Sequence, residues 1–179
     1  MKPIATILLT LLLLAPSTVF SQTRNRSTSR QKPSTSSSTA AATQRIAQVR
    51  TQGATRVADQ IKLLTKFIYL LGGVTNGIAA VDEAERRKEA SQTLIQKNQN
   101  DKAQVKASIQ NFREGLDKLE IDFRATPELQ PYYIKLAGVA AGAATAEEQA
   151  ARNQFDASGR TLLNVVNRLT DVLLLMRTT

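Results

Sequence analysis

The chain has no cysteine, no histidine and no tryptophan. Without cysteine there can be no disulfide, no thiol nucleophile and no lipid-modified N-terminal cysteine. Without cysteine and histidine the usual zinc sets and imidazole acid–base catalysis are excluded. The Glu-x-x-His pair of carboxylate-bridged di-iron bundles is excluded with them. Glycine and proline are scarce, 8 and 5 in 179 residues, too few for the many turns of an all-β chain. Aromatics make up 4% of a sequence that is 42% hydrophobic. Any core must therefore be built from Leu, Ile, Val and Ala, which suits helix packed on helix. The length is that of one domain.

What is present begins with an export signal. Lys2 supplies a positive start, Ile4 to Leu14 an apolar run, and Val19-Phe20-Ser21 a small-residue cleavage site. Residues 1–21 are thus expected to be cleaved, leaving Gln22 first. An uncleaved anchor is disfavoured because the run is short of the ~20 residues a spanning helix needs. The expected location is secreted or periplasmic.

Residues 22–42 form a basic Ser/Thr-rich segment expected to be a disordered linker, since it cannot bury enough apolar area to offset its ordering entropy. The formal charge is +9, and Arg24, Arg26, Arg30 and Lys32 concentrate it ahead of a mildly basic remainder. These four are candidate contacts to anionic lipid or polysaccharide. At about 1 kcal/mol per cation near such a surface they supply ~4 kcal/mol, a dissociation constant near ~1 mM. That assists another contact but anchors nothing alone. The segment has no aromatic residue for base stacking, so no nucleic-acid partner is expected.

Residues 43–179 read as helices. Ile46, Val49, Val57, Ile61, Leu64, Ile68 and Leu71 recur at helical spacing, continuing in phase to Ile78 and Val81. One helix to about Lys88 follows, kinked or tightly packed near Gly72-Gly73. Ser91 is the next N-cap candidate. A second helix to about Arg124 carries Val105, Ile109, Phe112, Leu116, Leu119 and Phe123, while its polar start, Gln96 to Lys102, is expected to fray or stand clear of the core. Pro127 breaks the run. A third helix turns Leu129, Tyr132, Tyr133, Leu136, Val139, Ala140 and Ala143 inward. It ends either near Gly142, where Thr145 to Glu148 resembles a capping box, or near Asn153, the preferred reading. A fourth, from about Phe155 to Met176, carries Leu162, Val166, Leu169, Leu173 and Met176.

The preference for Asn153 comes from an internal echo. Leu71-Gly-Gly-Val-Thr-Asn-Gly77 and Leu136-Ala-Gly-Val-Ala-Ala-Gly142 share Leu, Gly, Val and Gly in register. Ala79 with Ala144, Glu83 with Glu148 and Arg87 with Arg152 keep the same offset. The reading is a duplicated helical hairpin, although Ala- and Glu-rich helices also align by chance and the match fades after Ser91 and Asp156. The fold expected is all-α, an up-down-up-down four-helix bundle.

Glycine inside a helix costs about 1 kcal/mol against alanine. Something must offset that at Gly72, Gly73, Gly77, Gly138 and Gly142. The expectation is close helix packing at Gly73, Gly77, Gly138 and Gly142. A membrane dimer motif is the other use of Gly-x-x-x-Gly, but the uncharged stretch Phe67 to Val81 is too short to span and contains Asn76. No transmembrane span is expected in the mature chain.

No catalytic grouping emerges, and no cofactor or metal site is expected. Asp82-Glu83 and Glu147-Glu148 are paired carboxylates, which can serve acid–base chemistry or bind hard cations. Set among Arg and Lys on the polar sides of helices, they read as solvated charged faces. Of Tyr132-Tyr133, one ring is expected to pack inward while the other covers the bundle end. The function expected is that of an exported, non-catalytic interaction or structural protein whose partner is a protein or an envelope component. Peripheral envelope binding through the basic segment is the alternative. An apolar face left open on the first or fourth helix would make a homodimer. The mature chain, recovered from outside the cytoplasm, is expected to give Gln22 on N-terminal sequencing. Retention of Met1 to Ser21 would contradict the export reading.

Overall fold

A computed structural model describes residues 35–178, and among them every element is an α-helix. The elements are α1 (Thr35–Arg86), α2 (Gln92–Ala125), the short α3 (Gln130–Leu136), α4 (Val139–Ala151) and α5 (Phe155–Thr178). The expected signal peptide and Arg24, Arg26, Arg30 and Lys32 lie outside the described residues. α1, at 52 residues, starts at Thr35, inside the segment expected to be a linker. Ala40 to Ala42 are strong helix formers, and each residue added to an existing helix brings a hydrogen bond. Helix therefore extends back from the periodic stripe.

The two long connections are built alike. After α1, Lys88 adopts φ 60°, and after α4, Asn153 does the same. Glu89 N–H donates to Ala84 C=O at 2.9 Å and Lys88 N–H to Glu85 C=O at 2.9 Å. Gln154 N–H donates to Gln149 C=O at 2.9 Å and Asn153 N–H to Ala150 C=O at 2.9 Å. Both are Schellman ends, which satisfy the last free carbonyls of a helix through one left-handed residue. The second lies at Asn153, the later of the two ends expected for the third helix, and at the offset of the internal echo. Ser91 caps α2 as expected, its Oγ accepting from Leu94 N–H at 3.3 Å.

The third helix departs from expectation by breaking at Ala137-Gly138 into α3 and α4. Gly138 has φ 92°, a left-handed conformation open to glycine and strained for other residues. The break is held from two sides. Glu120 on α2 accepts hydrogen bonds from Gly138 N–H at 3.0 Å and Ala140 N–H at 2.8 Å. Arg168 on α5 donates to Ala137 C=O at 2.6 Å and Gly138 C=O at 3.4 Å. A carboxylate thus meets the new N-terminus and a guanidinium the old C-terminus, both favourable to the helix dipoles.

Side-chain contacts make neighbouring helices antiparallel. Arg56 pairs with Asp122 and Asp82 with Lys102 between α1 and α2. Arg113 Nε lies 2.5 Å from Glu147 Oε2 between α2 and α4. Ser158 Oγ donates to Ala146 C=O at 2.8 Å between α5 and α4. Val57, Leu64, Leu71 and Ile78 of α1, Ile109, Leu116 and Phe123 of α2, and Leu162, Leu169 and Val172 of α5 are buried together. From α4 the core receives Val139, Ala140, Ala143, Ala146 and Ala150, small enough for close approach. Tyr132 is buried and Tyr133 half-buried, as read from the sequence. Ile46 is exposed instead of inward. It lies N-terminal to the level at which Gly53 meets Met176, near the end of α5, beyond the reach of that helix.

The Glu120 bridge generates a prediction. Hydrogen bonds to a charged group are worth about 1.5–3 kcal/mol each. Glu120→Ala is expected to lower unfolding free energy in urea by about 2 kcal/mol. Glu120→Gln, which keeps an acceptor oxygen, should lose less.

Candidate functional site

The outer face of the α1–α2 pair carries a groove of about 620 Å³. Its α1 wall is Phe67, Leu70, Gly73, Val74, Gly77 and Val81, and its α2 wall includes Leu94, Lys97, Asp101, Gln104 and Ser108. Leu71, Ile78, Asn98 and Val105 form its floor. At the Phe67 end the ring meets Phe112 with centroids 5.1 Å apart. Leu70 is 54% exposed, Val74 39% and Leu94 40%, so the α1 wall presents apolar side chains to solvent while the α2 wall beyond Leu94 is polar. Along α1 the exposed Leu63 extends the same face.

Helical phase explains the opening. The core stripe of α1 faces its neighbours, and Leu63, Leu70, Val74 and Gly77 lie on a second apolar face turned away from it. The hydrophobic residues exceed what one buried stripe needs. α1 contains an 18-residue window of mean hydropathy 1.3, only 22% of it buried, and by length and composition the helix qualifies to cross a membrane.

The glycines behave differently from the close-packing expectation in the first half of the repeat. At Gly72, Gly73 and Gly77 an added Cβ would find no atom within 4 Å. Among the described residues they make no close helix–helix contact, so the close-packing expectation does not hold at Gly73 and Gly77. In the second half Gly142 does pack closely: its Cβ would stand 2.8 Å from Val165 Cγ2. At Gly138 the space holds the Arg168 guanidinium, 3.2 Å away, and the left-handed backbone is the stronger requirement. The glycine of α1 that does pack closely is Gly53, where a Cβ would lie 2.8 Å from Leu129 Cδ2 and 3.1 Å from Met176 Cε. Gly53 was legible in principle, since it continues the row Val49, Gly53, Val57.

Of the paired carboxylates, Glu83 and the exposed Glu148 sit on a solvated charged face as expected, whereas Asp82 and Glu147 reach across to a neighbouring helix. Asp82 Oδ1 accepts from Asn98 Nδ2 and Lys102 Nζ, each at 2.6 Å, and Asn98 is buried. The polar start of α2 is therefore docked and helical. Buried polar groups are tolerated when their hydrogen bonds are made. Glu83 engages Arg86 and Arg87 on its own helix, and Glu147 faces Arg113. These carboxylates serve as ties within and between helices. Among the described residues no three carboxylates converge into a metal-binding group. Ser158 spends its hydroxyl on Ala146 C=O, fully buried.

Comparison with protein-family models, with curated proteins and with solved structures finds no match to this chain. The groove therefore stands on its own geometry.

Two alanine substitutions separate open from packed glycines. Gly73→Ala adds helix propensity without a clash and is expected to raise stability in dilute solution by up to about 1 kcal/mol. Gly142→Ala drives a methyl against the stiff Val165 side chain and should lower it by about 1–3 kcal/mol. Urea titration of the two variants measures both.

Proposed function

We propose that the chain is an exported, non-catalytic interaction protein, an up-down-up-down four-helix bundle behind a cleaved signal and a basic linker. Its docking face is the α1–α2 groove. The observation that carries this reading is the contiguous apolar surface of Leu63, Leu70, Val74 and Leu94, left open beside a complete core. Exposed apolar patches rimmed by polar residues mark interaction sites.

A membrane span is the weaker reading of the same helix. The uncharged stretch between Lys66 and Asp82 is shorter than the ~20 residues needed. Leu71 and Ile78 within it are committed to the core. Peripheral binding by Arg24, Arg26, Arg30 and Lys32 is supported by their run without an intervening acid. Their strength suits an auxiliary contact, with anionic lipid or polysaccharide of the envelope.

A photo-crosslinking residue placed at Val74 or Leu94 is expected to form protein adducts in cells. The same residue at Asp156, exposed at the start of α5, should form none. Absence of adducts from both groove positions would refute a protein-docking face.

A further inference from the structure

We propose that the groove is filled by a second copy of this chain, its α1 crossing antiparallel to the first about a two-fold axis between Thr75 and Asn76. The inference rests on the groove being a docking face and names its occupant.

Charge and shape support the same centre. The exposed face of α1 runs from Lys66 through Leu70, Val74, Gly77 and Val81 to Glu85. Along this row it is apolar in the middle, with Lys66 at one end and Glu85 at the other. Reversing a copy of this face about that axis sets Lys66 opposite Glu85 of the second copy. Leu70 then meets Val81, and Val74 meets Gly77, each pair occurring twice as two-fold symmetry requires. A parallel copy would oppose like charges at both ends.

The chain already contains a contact of this kind. Gly142, equivalent to Gly77 in the repeat, receives Val165 of antiparallel α5 against its backbone. Val139, equivalent to Val74, is buried, whereas Val74 is 39% exposed. The first half of the repeat thus presents open what the second half has covered. Val74 of the second copy would stand over Gly77 much as Val165 stands over Gly142.

The dimensions suffice. From Lys66 to Glu85 the helix runs about 30 Å at 1.5 Å per residue, and two adjacent helices are about 20 Å across. The face offers roughly 600 Å² per copy, so about 1,200 Å² in total, the lower end of specific interfaces.

Sedimentation equilibrium of the chain expressed from the full sequence is the test. A dimer is expected at micromolar concentration. Val74→Asp, an exposed helical position, should weaken it at least tenfold while circular dichroism shows the helices intact. Lys66→Glu and Glu85→Lys should each weaken dimerisation several-fold by opposing like charges, and the double variant should restore it. Restoration identifies the antiparallel pairing. A chain monomeric at ~100 µM would overturn the proposal, as would a dimer indifferent to Val74→Asp or a double variant without rescue. A monomer that floats with phosphatidylcholine vesicles would assign the face to lipid, overturning it too. Groove crosslinks to a different protein, with the chain itself monomeric, would leave the docking face standing and remove only the second copy.

Discussion

With no cysteine to form a disulfide, the fold depends on the row Val57, Leu64, Leu71 and Ile78 of α1, set at two-turn intervals and buried against its neighbours. Side chains repeating at that interval stay on one face of a helix and present an unbroken ridge. Leu71 fits against Gly159 of α5, where a Cβ would lie 3.2 Å from Leu71 Cδ2. Near the other end Gly53 admits Leu129 and Met176. Glycines thus leave room where side chains of α1 and its neighbours meet, consistent with a close-packed interior.

The two halves share their hairpin ends and differ in what covers them. The Schellman turns at Lys88 and Asn153 match bond for bond. Yet the helix bearing Gly73 runs straight through, whereas the one bearing Gly138 is interrupted. Glu120 and Arg168 hold the interruption, and α4 then lies between α2 and α5 with its small residues buried. Among the described residues α1 has neighbours on its core side only. A helix with two apolar faces placed at the margin leaves one of them uncovered by the described helices. That surface is the groove.

Polar ties set the pairing where apolar ridges would tolerate slippage. Asp82 with Asn98 and Lys102, Arg113 with Glu147, and Ser158 with Ala146 each join two helices at one height. Side chains that read as solvated charge in a single sequence acquire partners only when two helices are brought level. For that reason the start of α2, nearly all polar, looked destined to fray. It is held instead by a carboxylate from the preceding helix.

The sequence by itself determined the helical class, the Ser91 cap, the breaks near Arg86 and Ala125 and most of the buried stripe, while it left the end of the third helix open between Gly142 and Asn153. These follow from local periodicity, capping and proline sterics, which act within a few residues. Only the tertiary structure decided that Gly138 is a left-handed break and that Gly142 is packed while Gly73 and Gly77 are open. It alone made Asp82 and Glu120 struts and left Leu70, Val74 and Leu94 facing solvent. A helix pattern states which residues share a face. Whether that face is covered depends on which helices lie alongside it, and that is settled by the non-local competition of every ridge for a partner.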